Sequence, residues 1–299
     1  MEFYKPRLAE YEKYVEYYKL CMQLCAETSF LALWSYEEEM ELERAFYSEL
    51  FWHRINWHGQ RIWMPPIGEW ERGDWEDILT AVVPPGTVFG FVPEFLANRW
   101  LDSFPDKIAI DVGDMRGEWD YLFHLKRQIA MEGQAFADMR NRCKSFANKY
   151  ACEYSTITVE DIPAIKEFQE QWMKWNESKG KLCDDLLAEN RTIIKILDNW
   201  KSLLDKRVFG AKMVLDNQII SYIITEELDD YILSGHVLKG NYNYNGVYQT
   251  MQLWVYKNQY AHFPILNMWG DGGIPGLRQS KLSLNPIGFI KKYLVTWKG

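Results

Sequence analysis

The sequence of 299 residues contains no long apolar run. No stretch approaches the roughly 20 consecutive apolar residues that a membrane-spanning helix needs. Its opening residues, MEFYKPRLAEYEK, are charged and amphipathic, whereas a secretory signal peptide has an apolar core. We therefore expect a soluble, cytoplasmic protein without a transmembrane segment.

Cysteine and histidine are scarce, with five of each, and neither forms a recognisable ligand pattern. The odd number and irregular spacing of the cysteines argue against a disulfide framework. Cys21 and Cys25 lie four residues apart on a predicted helix, but the second ligand pair that a structural zinc ion requires does not follow. The sequence predicts no metal site and no permanently bound cofactor.

Basic residues are too few for a broad nucleic-acid surface, because the formal net charge is -8. Residues 150–299 hold 17 basic and 17 acidic side chains, so the whole acidic excess lies in residues 1–149. The cluster EEEMELE at residues 37–43 contributes to it, and a solvated helix face is the ordinary explanation. Since neutralising phosphates requires a basic surface, we expect no DNA partner, although a local basic patch stays compatible with this composition.

Aromatic residues, in contrast, are abundant at 16%, with 14 Trp and 18 Tyr. Such rings fill large cores or line deep pockets. The length favours two domains or one large one. We expect a boundary between residues 1–149, which end in linking helices, and residues 150–299.

The second half has a readable order of elements: a strand, two helices, three antiparallel strands, a helix, a strand, a short helix and a final strand. A turn at Asp216–Asn217 divides the antiparallel run, and Gly246 precedes the third helix. This order is typical of the GNAT-type acyltransferase fold, an α+β arrangement around a mixed sheet. The fold alone does not determine function.

Three motifs carry a family resemblance: DYLF with RNRCKSF within residues 120–150, GVYQTMQLW at 246–254, and DGGIPGLRQSKLSLNP at 271–286. They resemble a bacterial family related to the C-terminal domain of phosphatidylglycerol lysyltransferases, over nearly the full chain. The resemblance implies two tandem GNAT-like domains, each a central mixed sheet flanked by helices. A departure is Gly133-Gln134, where the family usually has Gly-Lys, which weakens any contact with a polyanion such as tRNA.

The resemblance also implies transfer of an acyl or aminoacyl group to an amine or hydroxyl acceptor. Acetyl-CoA, another acyl-CoA or aminoacyl-tRNA is the implied donor, and a small amine or amino-acid-like molecule the implied ligand. The alternative is a non-catalytic GNAT-like protein that binds an amino-acid-like ligand. Whether the chain is an enzyme therefore stays open at this point.

The start of the third helix is the candidate donor site. Gly246 lacks a side chain, so the N–H groups of Val247 and Tyr248 are predicted to face an anion at the helix N-terminus. The usual acetyl-CoA signature, Q/R-x-x-G-x-G/A, is absent. A glycine that merely begins a helix after a turn explains the pattern equally well.

Glu226 is the candidate general base. It lies with Glu227 at the end of the predicted strand IISYIITEEL, and strand alternation sends only one of the two into a cleft. Tyr248 and Tyr222 are candidate proton donors to the leaving group. Each of these side chains has an ordinary alternative role, the acids at the surface and the tyrosines in the core.

Asp271, Arg278 and Lys281 form the candidate substrate site within a glycine-rich loop and the helix that follows it. Asp271 is predicted to bind an ammonium group, and Arg278 a carboxylate or phosphate through its bidentate fork. The alternative is an Asp271–Arg278 ion pair that holds the loop. Four glycines in this stretch favour the ligand interpretation, since they permit close approach.

Overall fold

The computed structural model describes residues 1–111, 113 and 115–299, and its internal contacts divide the chain into two compact units. Unit 1 comprises Met1–Tyr121, Trp269–Lys281 and Gly288–Gly299. Unit 2 comprises Leu122–Met268 and Leu282–Ile287. The division predicted from the sequence, at residues 149 and 150, stays a prediction; in the present grouping residues 122–149 belong to unit 2.

The helices account for most of the periodic segments in the sequence. Among the described residues they are α1 (Tyr11–Tyr18), α2 (Phe30–Ser35), α3 (Trp75–Val82), α4 (Glu94–Ser103), α5 (Leu125–Ala130), α6 (Ala137–Lys149), α7 (Ile162–Ser178), α8 (Asp184–Asp198), α9 (Trp200–Leu203), α10 (Val247–Asn258) and α11 (Pro275–Ser283). Short 3-10 turns occupy Leu8–Glu10, Ala26–Thr28, Pro105–Lys107, Arg116–Glu118, Gln134–Phe136 and Val159–Asp161. None of the helices in the described ranges is both long enough and apolar enough to cross a membrane.

The strands form two mixed sheets. They are β1 (Glu43–Tyr47), β2 (Leu50–Trp57), β3 (Gln60–Trp63), β4 (Thr87–Pro93), β5 (Ile108–Asp111), β6 (Asp120–His124), β7 (Glu153–Thr156), β8 (Val208–Leu215), β9 (Gln218–Glu227), β10 (Ile232–Gly240), β11 (Ile265–Asn267), β12 (Gly288–Ile290) and β13 (Lys292–Trp297). One sheet has the order β1-β2-β3-β4-β13-β5, and the other has the order β12-β6-β11-β10-β9-β8-β7. The predicted α+β class with GNAT-like mixed sheets flanked by helices is confirmed.

The sheet of unit 1 is completed by the end of the chain. Strand β13 pairs antiparallel with both β4 and β5, while β3 and β4 are parallel. His58 and Gly59 form a hairpin turn, since Trp57 pairs with Gln60 and both turn residues have positive φ. The core of this unit is aromatic, with five fully buried tryptophans: Trp52, Trp70, Trp75, Trp100 and Trp297.

The sheet of unit 2 contains the predicted antiparallel meander. Strands β8 and β9 join at the turn Asp216–Asn217, where both residues have positive φ, and β9 pairs antiparallel with β10. Strand β10 then pairs in parallel with β11, after the crossover through α10. The DYLF segment, in the region where linking helices were expected, is strand β6 and pairs antiparallel with β11.

Candidate functional site

The sheet of unit 2 opens between β10 and β11. The two strands pair only at Ile232–Ser234, opposite Ile265–Asn267, although β10 continues to Gly240. A register shift between Gly235 and Val237 marks a β-bulge where the pairing with β11 ends. Bulges re-aim side chains and are common beside active sites. Beyond Ser234, β10 therefore continues without pairing to β11, next to a distorted segment of backbone.

Glu226 lies at this opening and forms a buried acid–imidazole pair. Its Oε2 atom is 2.7 Å from Nε2 of His236, the residue in the bulge, and both side chains are almost completely buried. Ser234 on β10 is fully buried. It is the cross-strand neighbour of Glu226 on β9 and of Asn267 on β11. The neighbouring Glu227 instead points towards Arg207, 3.4 Å away. Of the two acids, Glu226 is thus the one whose side chain is buried against another polar residue of the sheet, His236.

A second polar cluster lies on the same face of the sheet, under α7. The Tyr222 hydroxyl donates to Gln169 Oε1 at 2.7 Å. Lys239 donates to Glu189 Oε2 at 2.7 Å, and its ammonium lies 4.1 Å from the centre of the Trp172 ring. Burial lowers the pKa of Lys239, and the charge of Glu189 opposes that effect.

Tyr248 joins this cluster from α10. Its hydroxyl donates to the Gly240 carbonyl at 2.9 Å and accepts from Trp172 Nε1 at 3.2 Å. Burial raises the pKa of Tyr248 to about 12, so the phenol stays protonated at neutral pH. In the structure that proton is donated to the Gly240 carbonyl.

The N-terminus of α10 provides a packing reason for its glycine. Gly246 caps the helix with a φ of 91°, and a Cβ atom there would lie 2.6 Å from the Arg142 carbonyl oxygen. The Val247 amide donates to the Tyr244 carbonyl at 3.1 Å. The geometry thus matches the helix-start alternative, with the Val247 amide already engaged by the chain.

Asp271 in unit 1 is fully buried and held by several donors. Arg278 contacts it through two bonds of 2.8 Å, from Nε to Oδ2 and from Nη2 to Oδ1. The Tyr121 hydroxyl donates at 2.6 Å, the Gly273 amide at 3.0 Å, and Arg116 lies 3.3 Å away. Burial alone would raise the pKa of Asp271, but these donors outweigh it and lower the pKa to about 2.

The three predicted substrate residues occupy one loop and helix, with different exposure. Arg278 keeps 36% of its side chain exposed, whereas Lys281 is buried and donates to the carbonyl oxygens of Trp269 and Gly270. Burial lowers the pKa of Lys281 to about 8. Asp271 therefore orients Arg278 through the ion pair foreseen as the alternative, and Arg278 is the member of the three that faces solvent.

The glycines of this loop permit close contact with the chain itself. The amides of Asp271 and Gly272 both donate to the Gly117 carbonyl, at 2.7 and 2.9 Å. A Cβ atom on Gly270 would overlap that same carbonyl oxygen, and one on Gly117 would lie 2.6 Å from the Gly273 nitrogen. The close contact seen here is with the turn at Arg116–Glu118, and the ligand approach inferred from the sequence stays a prediction.

Unit 1 also contains a buried charge cluster that the sequence did not indicate. Lys292 is fully buried and contacts both Asp120, at 2.7 Å, and Glu27. The Ala26 amide donates to the other oxygen of Asp120 at 3.0 Å. Burial, together with the negative charge of Asp120, raises the pKa of Glu27 to about 8, because two acids share one lysine.

Sequence reasoning missed His236, Lys239 and Lys292 for the same reason. Each acts through a partner at least ten residues away, and no local spacing brings the two together. The signal for His236 was weak but present, since a glycine precedes it inside a strand of alternating polarity. Glycine within a strand often marks a bulge.

Solved structures resemble this chain over nearly its whole length. A conserved protein of unknown function from Bacteroides thetaiotaomicron is 20% identical with a TM-score of 0.89, covering 100% of both chains. L-PGS from Bacillus licheniformis is 10% identical with a TM-score of 0.60, covering 93% of this chain and 94% of its own. FemX is 8% identical with a TM-score of 0.62, covering 98% and 97%. At these identities the likeness shows the fold.

The sequence itself matches a family model. A comparison with curated proteins finds no match. Residues 26–296, in contrast, match the model of the phosphatidylglycerol lysyltransferase C-terminal region, which covers most of both units and confirms the resemblance noted from the motifs. The chain therefore belongs to the phosphatidylglycerol lysyltransferase C-terminal family.

Proposed function

We propose that the protein transfers an acyl or aminoacyl group to an amine or hydroxyl acceptor. The observation that carries this proposal is the buried Glu226–His236 pair beside the opening between β10 and β11. An open strand edge offers unpaired backbone groups to an extended ligand. A carboxylate next to that edge supplies a base near the reacting carbonyl.

Glu226 is the base in this proposal. The acceptor nitrogen or oxygen attacks the acyl carbon, forming the new bond, and its proton passes to Glu226 directly or through a bridging water. The bond from the acyl carbon to the carrier, a thioester in an acyl-CoA or an ester in aminoacyl-tRNA, then breaks. His236 keeps the Glu226 carboxylate in place, 2.7 Å away.

Tyr248 has a proposed role in unit 2, and Arg278 has one in unit 1. Tyr248, with its pKa raised to about 12 by burial, donates a proton to the leaving group. Arg278, oriented by Asp271, binds a carboxylate or phosphate with its exposed edge. Lys281 adds a positive charge on the same helix as Arg278. The amide of Tyr248, at the start of α10, is the group proposed to bind the acyl donor. A cytoplasmic location stays a prediction.

The test combines binding with turnover. Acetyl-CoA, CoA and aminoacyl-tRNA are compared in thermal-shift measurements, since a ligand of the native state raises the melting temperature. Thiol release from acetyl-CoA, or loss of the aminoacyl ester, is then followed with a panel of primary amines. We expect Glu226→Gln to lower the rate by about 10²- to 10⁴-fold while the thermal shift persists.

Glu227→Gln is the matched control, because Glu227 is the neighbouring acid and points to Arg207. It is expected to keep the rate within about twofold of the original protein. Equal losses in both variants, or turnover that survives Glu226→Gln, would remove Glu226 from the mechanism.

The second candidate is a non-catalytic protein that binds an amino-acid-like ligand. It is favoured by the Val247 amide, which donates to Tyr244 and leaves fewer donors for a carrier's pyrophosphate. A thermal shift with free amino acids, without one from CoA or aminoacyl-tRNA, supports this alternative. Arg278→Ala is expected to abolish that shift.

A further inference from the structure

A cleft of about 800 Å³ in unit 2 is lined by cationic side chains. Its walls are the start of α5 and the loop before β11, and its polar lining consists of His124, Lys126, Arg127, Glu132 and His262. Its volume lies within the range of about 300–1,000 Å³ that small-molecule sites occupy. The cleft is therefore large enough for a ligand the size of a nucleotide.

The charge of this cleft is opposite to that of the chain. The net charge is -8, yet residues 122–149 hold six Lys or Arg and only two acids. Acids outnumber Lys and Arg in the linings of three other cavities of the protein. Here Lys126 and Arg127 face a single carboxylate, that of Glu132.

The cations of the cleft are also uncompensated. In the described part of the chain, no hydrogen bond or ion pair engages the side chains of His124, Lys126 or Arg127. Some buried or half-buried cations of unit 2 are paired, as Lys239 is with Glu189 and Lys212 with Asp161. Unpaired like charges repel each other, so an anion that binds between them relieves that repulsion.

The two walls are tied together by backbone contacts. His124 pairs with Ile265 in the β6–β11 ladder, and the Leu125 amide donates to the Pro264 carbonyl at 3.0 Å. The His262 ring packs against buried Phe263, with ring centres 4.8 Å apart. The backbone that carries these side chains is thus held by hydrogen bonds, so less conformational entropy is lost when a ligand binds.

We infer that this cleft binds the phosphate groups of a nucleotide-sized ligand. Arg127 supplies a planar fork suited to phosphate oxygens, Lys126 a point charge, and the two histidines further hydrogen bonds. Free phosphate and a nucleoside diphosphate share this chemistry, and the larger ligand fits the volume better. Binding here does not depend on the transfer reaction proposed above.

The experiment measures binding of fluorescently labelled ADP by anisotropy, with ADP, inorganic phosphate and adenosine as competitors. We expect ADP to compete best, phosphate weakly and adenosine not at all. The double variant Lys126→Gln with Arg127→Gln is expected to bind at least about tenfold more weakly, because two charge-assisted contacts are lost. Sodium chloride is expected to weaken binding by the original protein.

The matched control is Lys181→Gln with Lys201→Gln, which removes two charges from exposed positions that do not line the cleft. It is expected to bind within about twofold of the original protein. Thermal melting establishes that both double variants are folded. Absence of binding by the original protein, equal affinity of the two variants, or adenosine competing as well as ADP would each overturn the inference.

Discussion

Both units bury charged side chains, but they satisfy them differently. In unit 1, Asp271 receives donors from four residues and Lys292 contacts two carboxylates, so these networks are closed within the chain. In unit 2, the Glu226–His236 pair lies where β10 leaves β11, and the exposed Lys126 and Arg127 have no acid partner among the described residues. We expect the closed networks to act mainly on stability, and the pair beside the opening to act on the proposed reaction.

The two kinds of network predict different effects of mutation on stability and on activity. Removing a member of a closed network leaves its buried partner without compensation, so stability falls. Removing a group at an opening costs less stability and more activity, because active-site groups are often retained at the expense of stability. Each of the following substitutions tests one side of that distinction.

The largest effect is expected at Lys292. Replacing it by methionine keeps a long apolar side chain but leaves Asp120 and Glu27 buried without a cation. We expect the free energy of unfolding to fall by about 3–5 kcal/mol, as in other broken buried ion pairs. Urea denaturation followed by circular dichroism measures the change.

The neighbouring Lys291 is a matched control, since it pairs with Glu94 while 40% of its side chain is exposed. Lys291→Met is expected to cost at most about 1 kcal/mol, the usual value of a surface pair. Adding Asp120→Asn to Lys292→Met is expected to recover part of the loss, because one unpaired charge disappears. Similar losses for Lys291→Met and Lys292→Met would contradict the closed-network interpretation.

A smaller and pH-dependent effect is expected at Asp271. Its pKa is lowered from 3.8 to about 2, so its charged form stabilises the folded state above about pH 4. That contribution disappears as the pH falls through 2, where the carboxyl is protonated in both states. We expect Asp271→Asn to cost about 1–3 kcal/mol at neutral pH and progressively less below pH 4.

The measurement is the difference in unfolding free energy between the original protein and Asp271→Asn, from pH 5 to pH 2. Asp74 is the control, because it also pairs with an arginine, Arg72, but is 51% exposed. Asp74→Asn is expected to cost at most about 1 kcal/mol. If the loss of unfolding free energy in Asp271→Asn did not depend on pH, the charge of Asp271 would contribute little. The loss would then come from hydrogen bonds that the asparagine amide cannot make.

Local patterns predicted the elements better than their partners. The turns at His58–Gly59 and Asp216–Asn217, and the helix after Gly246, follow from residues adjacent in sequence. Strand β13 was predicted as a strand, but its insertion between β4 and β5 depends on partners about 200 residues away. Alternation along one strand carries no information about such distant partners.

The candidate site shows the same limit. The sequence placed Glu226 on a strand end and Asp271 beside Arg278, and the structure joins the latter two directly. Tyr121 and Arg116, which also hold Asp271, are about 150 residues away along the chain. The bulge that brings His236 beside Glu226 depends on the register of β9 and β10, which no single segment encodes.

The last prediction concerns the loop glycines, where one substitution is expected to lower stability and another to raise it slightly. A Cβ atom on Gly270 would overlap the Gly117 carbonyl and lie 2.8 Å from the Glu118 Cα, so Gly270→Ala is expected to cost about 1–3 kcal/mol through overpacking. Gly276, within α11, has nothing within 4 Å of such an atom, and Gly276→Ala is expected to stabilise the protein by up to about 1 kcal/mol.

Chemical denaturation of both variants separates two explanations for the same motif. If Gly270 serves packing against Gly117, stability falls; if it serves the approach of a ligand, stability is unchanged and only binding weakens. An unchanged free energy of unfolding for Gly270→Ala would mean that this loop, like the groups proposed for function in unit 2, serves ligand binding and not stability.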